Sequence, residues 1–191
     1  KDAGISIQFV QDNQAKSSYG VVRGLHYQLL PYAQTKFIRV LQGTILDAVV
    51  DIRKSSPTYA KVFTIELSAE NKKQLFIPKG FAHGYSVLSP MAEVLYKCDE
   101  FYHKESEGGI NLNDPHLQID WGISPEKQVL SEKDKLYPGI FECNNNFEFD
   151  KFLVDEIQMQ ETIKFVQNID STRIETVQIF GYTDDVGKDA Y

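Results

Sequence analysis

The chain has 191 residues, of which 42% are hydrophobic and 25% charged, with a formal net charge of −7 and two cysteines. That length supports one good core or two small domains, and the negative balance argues against nucleic acid as the main partner. Cys98 and Cys143 are too few and too isolated for a disulfide framework or a zinc cluster, and they fit a reducing compartment; no run is long and apolar enough to span a bilayer.

Residues 5–10 alternate and read as a strand, ended by Gln11-Asp12-Asn13, whose polar side chains can turn the backbone or face a cavity. Residues 21–28 form the next strand. Residues 35–41 and 44–52 read as two strands joined at Gln42-Gly43. The run Asp47-Ala48-Val49-Val50-Asp51 suits a buried strand. Residues 62–67, 74–77, 82–88 and 93–98 continue the rhythm, with turns at Ser68-Ala69-Glu70-Asn71, Pro78-Lys79-Gly80 and Ser89-Pro90-Met91. About eight short strands at near-regular spacing predict an all-β sandwich or barrel. The absence of βαβ alternation and of a Gly-rich phosphate loop argues against a nicotinamide-binding domain.

After Tyr102 the strand rhythm fades. Asn113-Asp114-Pro115 and Gly122-Ile123-Ser124-Pro125 mark loops. Ser131-Glu132-Lys133-Asp134 can cap a short helix, with Asp134 at the third helical position. Residues 147–191 differ in composition, with ten acidic against four basic residues, so the chain divides near Asn144-Asn145-Asn146. Spacing there predicts a strand, a helix carrying Phe152, Met159, Ile163 and Val166 on one side, and a strand over residues 174–180. The expected organisation is a β domain over 1–146 and a small, incomplete α/β segment over 147–191.

The stretch Val22-Arg23-Gly24-Leu25-His26-Tyr27-Gln28 is the chemical centre of the chain. Strict alternation sends Arg23 and His26 to opposite faces. A bulge at Gly24 would break that alternation and aim both into one cavity. Gln11, Asn13, Arg23, His26, Lys36, Arg39, His83, Tyr96 and Glu107, with Lys133 and Asp134 later, are polar groups at or within strands, where unpaired charge is costly. So many together suggest a polar lumen with a charged ligand inside. His26 and His83 lack the nearby carboxylate of a metal site, so no metal is expected. A base at His26, an acid at Tyr96 and a cation at Lys36 in one pocket suit proton abstraction beside a carbonyl. Each also has a plain structural reading: a half-buried satisfied histidine, a core tyrosine and a rim lysine.

Several blocks then resemble one family in order and spacing. They are Phe9-Val10-Gln11-Asp12-Asn13, Arg23-Gly24-Leu25-His26-Tyr27-Gln28, Gln34-Thr35-Lys36, Leu67-Ser68-Ala69-Glu70-Asn71, Ile77-Pro78-Lys79-Gly80-Phe81-Ala82-His83-Gly84, Leu95-Tyr96-Lys97 and Leu130-Ser131-Glu132-Lys133-Asp134. Together they resemble the dTDP-4-dehydrorhamnose 3,5-epimerases over about residues 5–138. The resemblance implies an all-β, cupin-like jelly-roll barrel with short helices late in the chain. It implies a cytoplasmic homodimer that inverts carbons 3 and 5 of a dTDP-linked 4-keto-6-deoxy sugar without metal or redox cofactor. On it, His26 is the base, Asp134 its orienting partner, Tyr96 the acid on the opposite face, and Lys36 the group beside the carbonyl oxygen. Gln11, Asp12, Asn13, Arg23, His83, Glu107 and Lys133 contact or shape the sugar-nucleotide site.

Neighbouring readings are an epimerase acting at one carbon and a ketoisomerase in the same barrel. The sequence opens just after a family segment that carries an Asp-x-Arg-Gly-x-Phe-like stretch. Phe149-Asp150-Lys151 and residues 181–191 resemble part of an outer-membrane-protein-A-like peptidoglycan-binding domain, with Asp184 at its diaminopimelate position. That implies a contrasting role for the chain as a non-catalytic cell-wall binder.

Overall fold

In the computed structural model, residues 7–143 are described, and they form nine strands in two antiparallel sheets. The first sheet contains β1 (Gln11–Ser18), β8 (Met91–Cys98), β3 (Lys36–Gln42) and β6 (Gln74–Ile77), in that order. The second contains β5 (Val62–Ser68), β4 (Thr44–Asp51), β7 (Phe81–Val87), β2 (Val22–Gln28) and β9 (Glu107–Gly109). The two sheets face each other as a jelly roll.

Alternation along the strands builds two cores. Ile38 and Val40 of β3, Val94 of β8, Ile45 and Val49 of β4, and Tyr85 and Val87 of β7 meet between the sheets. The opposite face of the five-stranded sheet carries Val22, Leu25, Ala48, Val50 and Ala82. It is covered by the later segment through Ile110, Leu112, Trp121, Ile123 and Ile140. Trp121 is 2% exposed and donates its indole N–H to the Leu112 carbonyl at 2.9 Å, so its polar atom is satisfied where its rings are dry. Burying each such large side chain contributes about 1.5–3 kcal/mol. The segment after β8, which lacks strand rhythm, is therefore a structural wall of the barrel.

A bulge in β2 sets the geometry of the interior. Arg23 pairs with Tyr85 of β7, and His26 pairs with His83, so the register shifts by one residue between them. Gly24 lies at φ +125°, and a Cβ there would fall 2.9 Å from the His83 carbonyl. Paired residues share a sheet face. Since Tyr85 and His83 are two apart on β7, the shift puts Arg23 and His26 on the same, inward face. The expected bulge is present.

Two expectations about elements are corrected. Residues 7–10 carry no strand ladder beyond the Val10 N–H donated to the Cys98 carbonyl, and the strand begins at Gln11, where the alternation predicts a strand's end. Gln11–Ser18 pairs with β8 along its whole length. Its polar residues are tolerated because one face borders a polar interior and the other is exposed. The short β9 was also not anticipated: Glu-Gly-Gly has no strand propensity of its own, and its pairing with β2 is tertiary.

The late helical elements are single 3-10 turns at Lys104–Ser106, Pro125–Lys127 and Asp134–Leu136. The expected cap is corrected: Lys133 flanks the last of these without a side-chain cap, so Asp134 is the first residue of the turn rather than the third, and Ser131 Oγ, three residues earlier, accepts the Asp134 N–H at 3.0 Å. The Asp134 carboxylate goes elsewhere than a capping box would send it. The expected C-terminal segment over 147–191, with Asp184, lies outside the described residues.

Candidate active site

His26 Nε2 lies 2.6 Å from Asp134 Oδ1. The imidazole is 21% exposed and the carboxylate 2%, so the acid is dry and the ring can be reached. With Nε2–H donating to the carboxylate, Nδ1 is the nitrogen left to accept a proton. Burial works to raise the Asp134 pKa, but the His26 hydrogen bond and charge, with Ser131 and Lys133, hold it below the usual carboxylate value.

Tyr96 is on β8, paired with Ile38 of β3 and Asn13 of β1. Ile38 is a core residue between the sheets, and Tyr96 packs against that core. The phenol-bearing strand and the imidazole-bearing strand thus belong to opposite sheets, and both residues are on inner faces. Lys36 is two residues from Ile38 on the same face, paired with Cys98. Burial lowers the Lys36 pKa, while Cys98, Asp47 and Glu107 pull it back up. Burial pushes the Cys98 thiol up to about 11, with Lys36 opposing.

The polar residues of β1 extend this interior. Gln11 Nε2 donates to Asn13 Oδ1 at 2.8 Å, and Gln11 Oε1 accepts the Tyr102 N–H at 2.9 Å. Asn13 Nδ2 donates to Cys98 Sγ at 3.8 Å. Arg23 reaches across to Ser17 Oγ at 3.3 Å. His83 Nε2 lies 3.0 Å from Asp47 Oδ2. Asp47 is fully buried, and its Oδ1 has no hydrogen-bond partner among the described residues. At the rim, Lys133 Nζ donates to Glu107 Oε1 at 2.7 Å, and the Tyr102 hydroxyl donates to Glu107 Oε2 at 3.0 Å.

Of the residues singled out in the sequence, Gln11, Asn13, Arg23, His26, Lys36, His83 and Tyr96 share the inner faces. Asp134, Glu107 and Lys133 gather at the mouth beside His26. Asp12 stands apart. Alternation sends it to the outer face of the four-stranded sheet, where Lys97 Nζ lies 2.7 Å from its Oδ1. Its neighbours in sequence concealed that, because a turn was expected where a strand forms.

Asp47, Cys98, Tyr102 and Tyr137 were missed. Asp47 had a signal: an acid in the middle of an apolar strand needs a partner. Cys98 and Tyr137 had none, since both look like ordinary packing residues until the pairing is known. Among the described residues no group of three or more His, Cys, Asp or Glu side chains could hold a metal ion. None of the described helical turns is long and apolar enough to cross a membrane.

Known proteins match this chain in sequence and fold. The family model described as dTDP-4-dehydrorhamnose 3,5-epimerase matches residues 1–142. The dTDP-4-dehydrorhamnose 3,5-epimerase of Shigella flexneri is 53% identical over 131 residues, 69% of this chain and 71% of that protein. The crystal structure of the enzyme of that name from Elizabethkingia anophelis superposes with a TM-score of 0.70 at 52% identity, over 72% of this chain and 75% of the other. A Legionella pneumophila dTDP-6-deoxy-D-glucose-3,5-epimerase, solved with dTDP-4-keto-L-rhamnose, gives a TM-score of 0.72 at 47% identity over 76% of each chain.

Proposed function

This chain belongs to the dTDP-4-dehydrorhamnose 3,5-epimerase family, and from that premise we propose how its own residues carry the reaction. It is a cofactor-independent sugar-nucleotide epimerase, inverting carbons 3 and 5 of dTDP-4-keto-6-deoxyglucose on the way to dTDP-L-rhamnose. Both carbons flank the C4 carbonyl, so removing a proton from either gives an enolate delocalised onto that oxygen. His26 takes the proton, and Asp134 holds the ring and stabilises the imidazolium that forms. Lys36 donates to the oxygen as negative charge develops there. Tyr96, from the opposite sheet, returns a proton to the other face of the carbon. Return from the opposite face is what inverts the centre; return by His26 would restore it.

One observation carries the reading: an imidazole on one sheet is held by a carboxylate at 2.6 Å, with a phenol and an ammonium on the inner face of the other sheet. Arg23 and His83 supply cationic or hydrogen-bonding groups to the sugar nucleotide, along with Gln11 and Asn13. Lys133 and Glu107 border the entrance. Asp12, paired outward, has no role in this scheme. The test is incubation with dTDP-4-keto-6-deoxyglucose and product analysis by NMR. Inversion at both carbons supports the reading, inversion at one makes the protein a single-carbon epimerase, and no inversion by folded protein overturns it.

The β domain over 1–146 is the catalytic unit in this reading, and it works in the cytoplasm as a homodimer. The outer face of the four-stranded sheet suits the contact between copies. Phe9 stacks on Phe37 with centroids 6.1 Å apart, Phe37 meets Phe76 at 6.5 Å, and the Arg39 Nε nearby is buried without a hydrogen-bond partner among the described residues. Sedimentation equilibrium at micromolar concentration checks it, and a monomer there would remove the dimer from the account.

A further inference from the structure

The imidazole of His26 has a neighbour that neither the acid nor the strand ladder provides. Tyr137 packs its ring against His26 edge-on, with centroids 5.7 Å apart and planes at 67°, within the preferred range for such pairs. One of two adjacent glycines makes room for it. In β9, Gly109 pairs with His26 and Gly108 with Tyr27. A Cβ on Gly108 would run into the Tyr27 ring, and a Cβ on Gly109 would run into the Tyr137 ring. The position opposite His26, where a cross-strand side chain would normally stand, is thus filled from elsewhere in the chain.

The source of that ring matters. Tyr137 directly follows the 3-10 turn Asp134–Leu136, so the acid that bonds the imidazole and the ring that braces it come from one short segment. Beyond the ring, the Pro138 carbonyl accepts the Asn111 N–H at 2.8 Å, pinning the segment next to β9. Burial, with the nearby Glu107 and Asp134 charges, raises the Tyr137 pKa, so its hydroxyl stays protonated in the working range.

We propose that Tyr137 is a positioning residue for the base, its ring and the Asp134 carboxylate gripping the His26 imidazole from two sides so that it keeps one orientation towards the substrate carbon. This rests on His26 acting as the base. The contribution is geometric: an imidazole that can rock away from its line of attack loses rate without losing substrate affinity. The ring edge does this, so the hydroxyl is dispensable.

The experiment is steady-state kinetics on the full chain, with His26→Asn as a control for the underlying reading. Tyr137→Ala is expected to lower kcat about tenfold with KM within about twofold, and Tyr137→Phe to keep kcat within about twofold. Should the alanine protein fail to fold, Tyr137→Leu retains bulk without a ring edge and is expected to lose at least about threefold in kcat at constant KM. An unchanged kcat in the alanine or leucine variant overturns the proposal. So does a rise in KM alone, which would make Tyr137 a wall of the substrate site. A phenylalanine variant as impaired as alanine also overturns it, by assigning the effect to the hydroxyl. If His26→Asn retains full activity, the base assignment fails and the Tyr137 proposal falls with it; an inactive His26→Asn beside an unchanged kcat in the Tyr137 variants overturns the Tyr137 proposal alone.

Discussion

His26 Nε2 and Asp134 Oδ1 stand 2.6 Å apart, although 108 residues separate them in the chain. Two local features bring them together: the Gly24 bulge that turns His26 inward, and the Ser131 Oγ that accepts the Asp134 N–H at the start of its turn. Replacing Asp134 by Asn keeps the shape and removes the charge that stabilises imidazolium. The expected loss in kcat is on the order of 10²–10⁴-fold, the range of a general-base contribution. A loss confined to KM would assign Asp134 to binding instead.

Tyr96→Phe separates exchange from inversion. In the proposed scheme His26 can still remove a proton and give it back to the same face. In heavy water the variant should incorporate deuterium into substrate while forming little epimerised product. Mass spectrometry and NMR on one sample read both quantities. Normal product formation would take the acid role away from Tyr96.

In the proposed scheme Lys36 sets the alkaline limb. Burial lowers its pKa, against the opposing pull of Cys98, Asp47 and Glu107. It therefore loses its proton below the ordinary lysine value of about 10.4. The alkaline limb of kcat/KM should fall correspondingly early. Lys36→Arg, whose charge persists, should push that limb to higher pH even if the rate is lower. A limb that does not move would mean another group controls it.

Acid should unfold the barrel through its buried carboxylates. Burial works to raise the pKa of Asp51, Asp114 and Asp134 alike. Hydrogen bonds outweigh it: Arg53, Ser56 and Thr58 at Asp51, Ile140 and His116 at Asp114, and His26 at Asp134. Each folded-state pKa lies below the unfolded one, so the unfolded chain binds protons first as pH falls. Their stabilisation is complete above about pH 4–5 and is lost as pH drops through the folded values. Urea midpoints should fall steeply below about pH 4, and Asp51→Asn should flatten that slope.

Gly24→Ala tests the bulge. The residue lies at φ +125°, and the new Cβ would meet Gly84 Cα at 2.5 Å. Backbone cannot move aside as a flexible side chain can. The expected destabilisation is at least about 2 kcal/mol by urea denaturation, with activity lost in any protein that still folds. Wild-type stability and activity in the alanine variant would show that the shift between Arg23 and His26 does not depend on glycine.

Most strands were legible because their apolar residues alternate and their turns are marked by Gly, Pro and Asn. Gln11–Ser18 was not, because a strand between a polar lumen and solvent has no apolar stripe to read. The same polarity concealed the outward direction of Asp12. Arg23, His26, Lys36 and Tyr96 stood out as polar groups in strand positions, and the resemblance supplied their order. Asp134 could not be paired with His26 from spacing alone, since 108 residues lie between them. Tyr137 and Gly109 meet only through β9, whose three residues have no strand signature.

The most direct measurement counts deuterium at each carbon of dTDP-4-keto-6-deoxyglucose after incubation with the protein in heavy water, for the native chain and for His26→Asn. The account predicts label at both C3 and C5 with the native chain, and none above the uncatalysed background with His26→Asn. Equal labelling by the two proteins, with both folded, would contradict it.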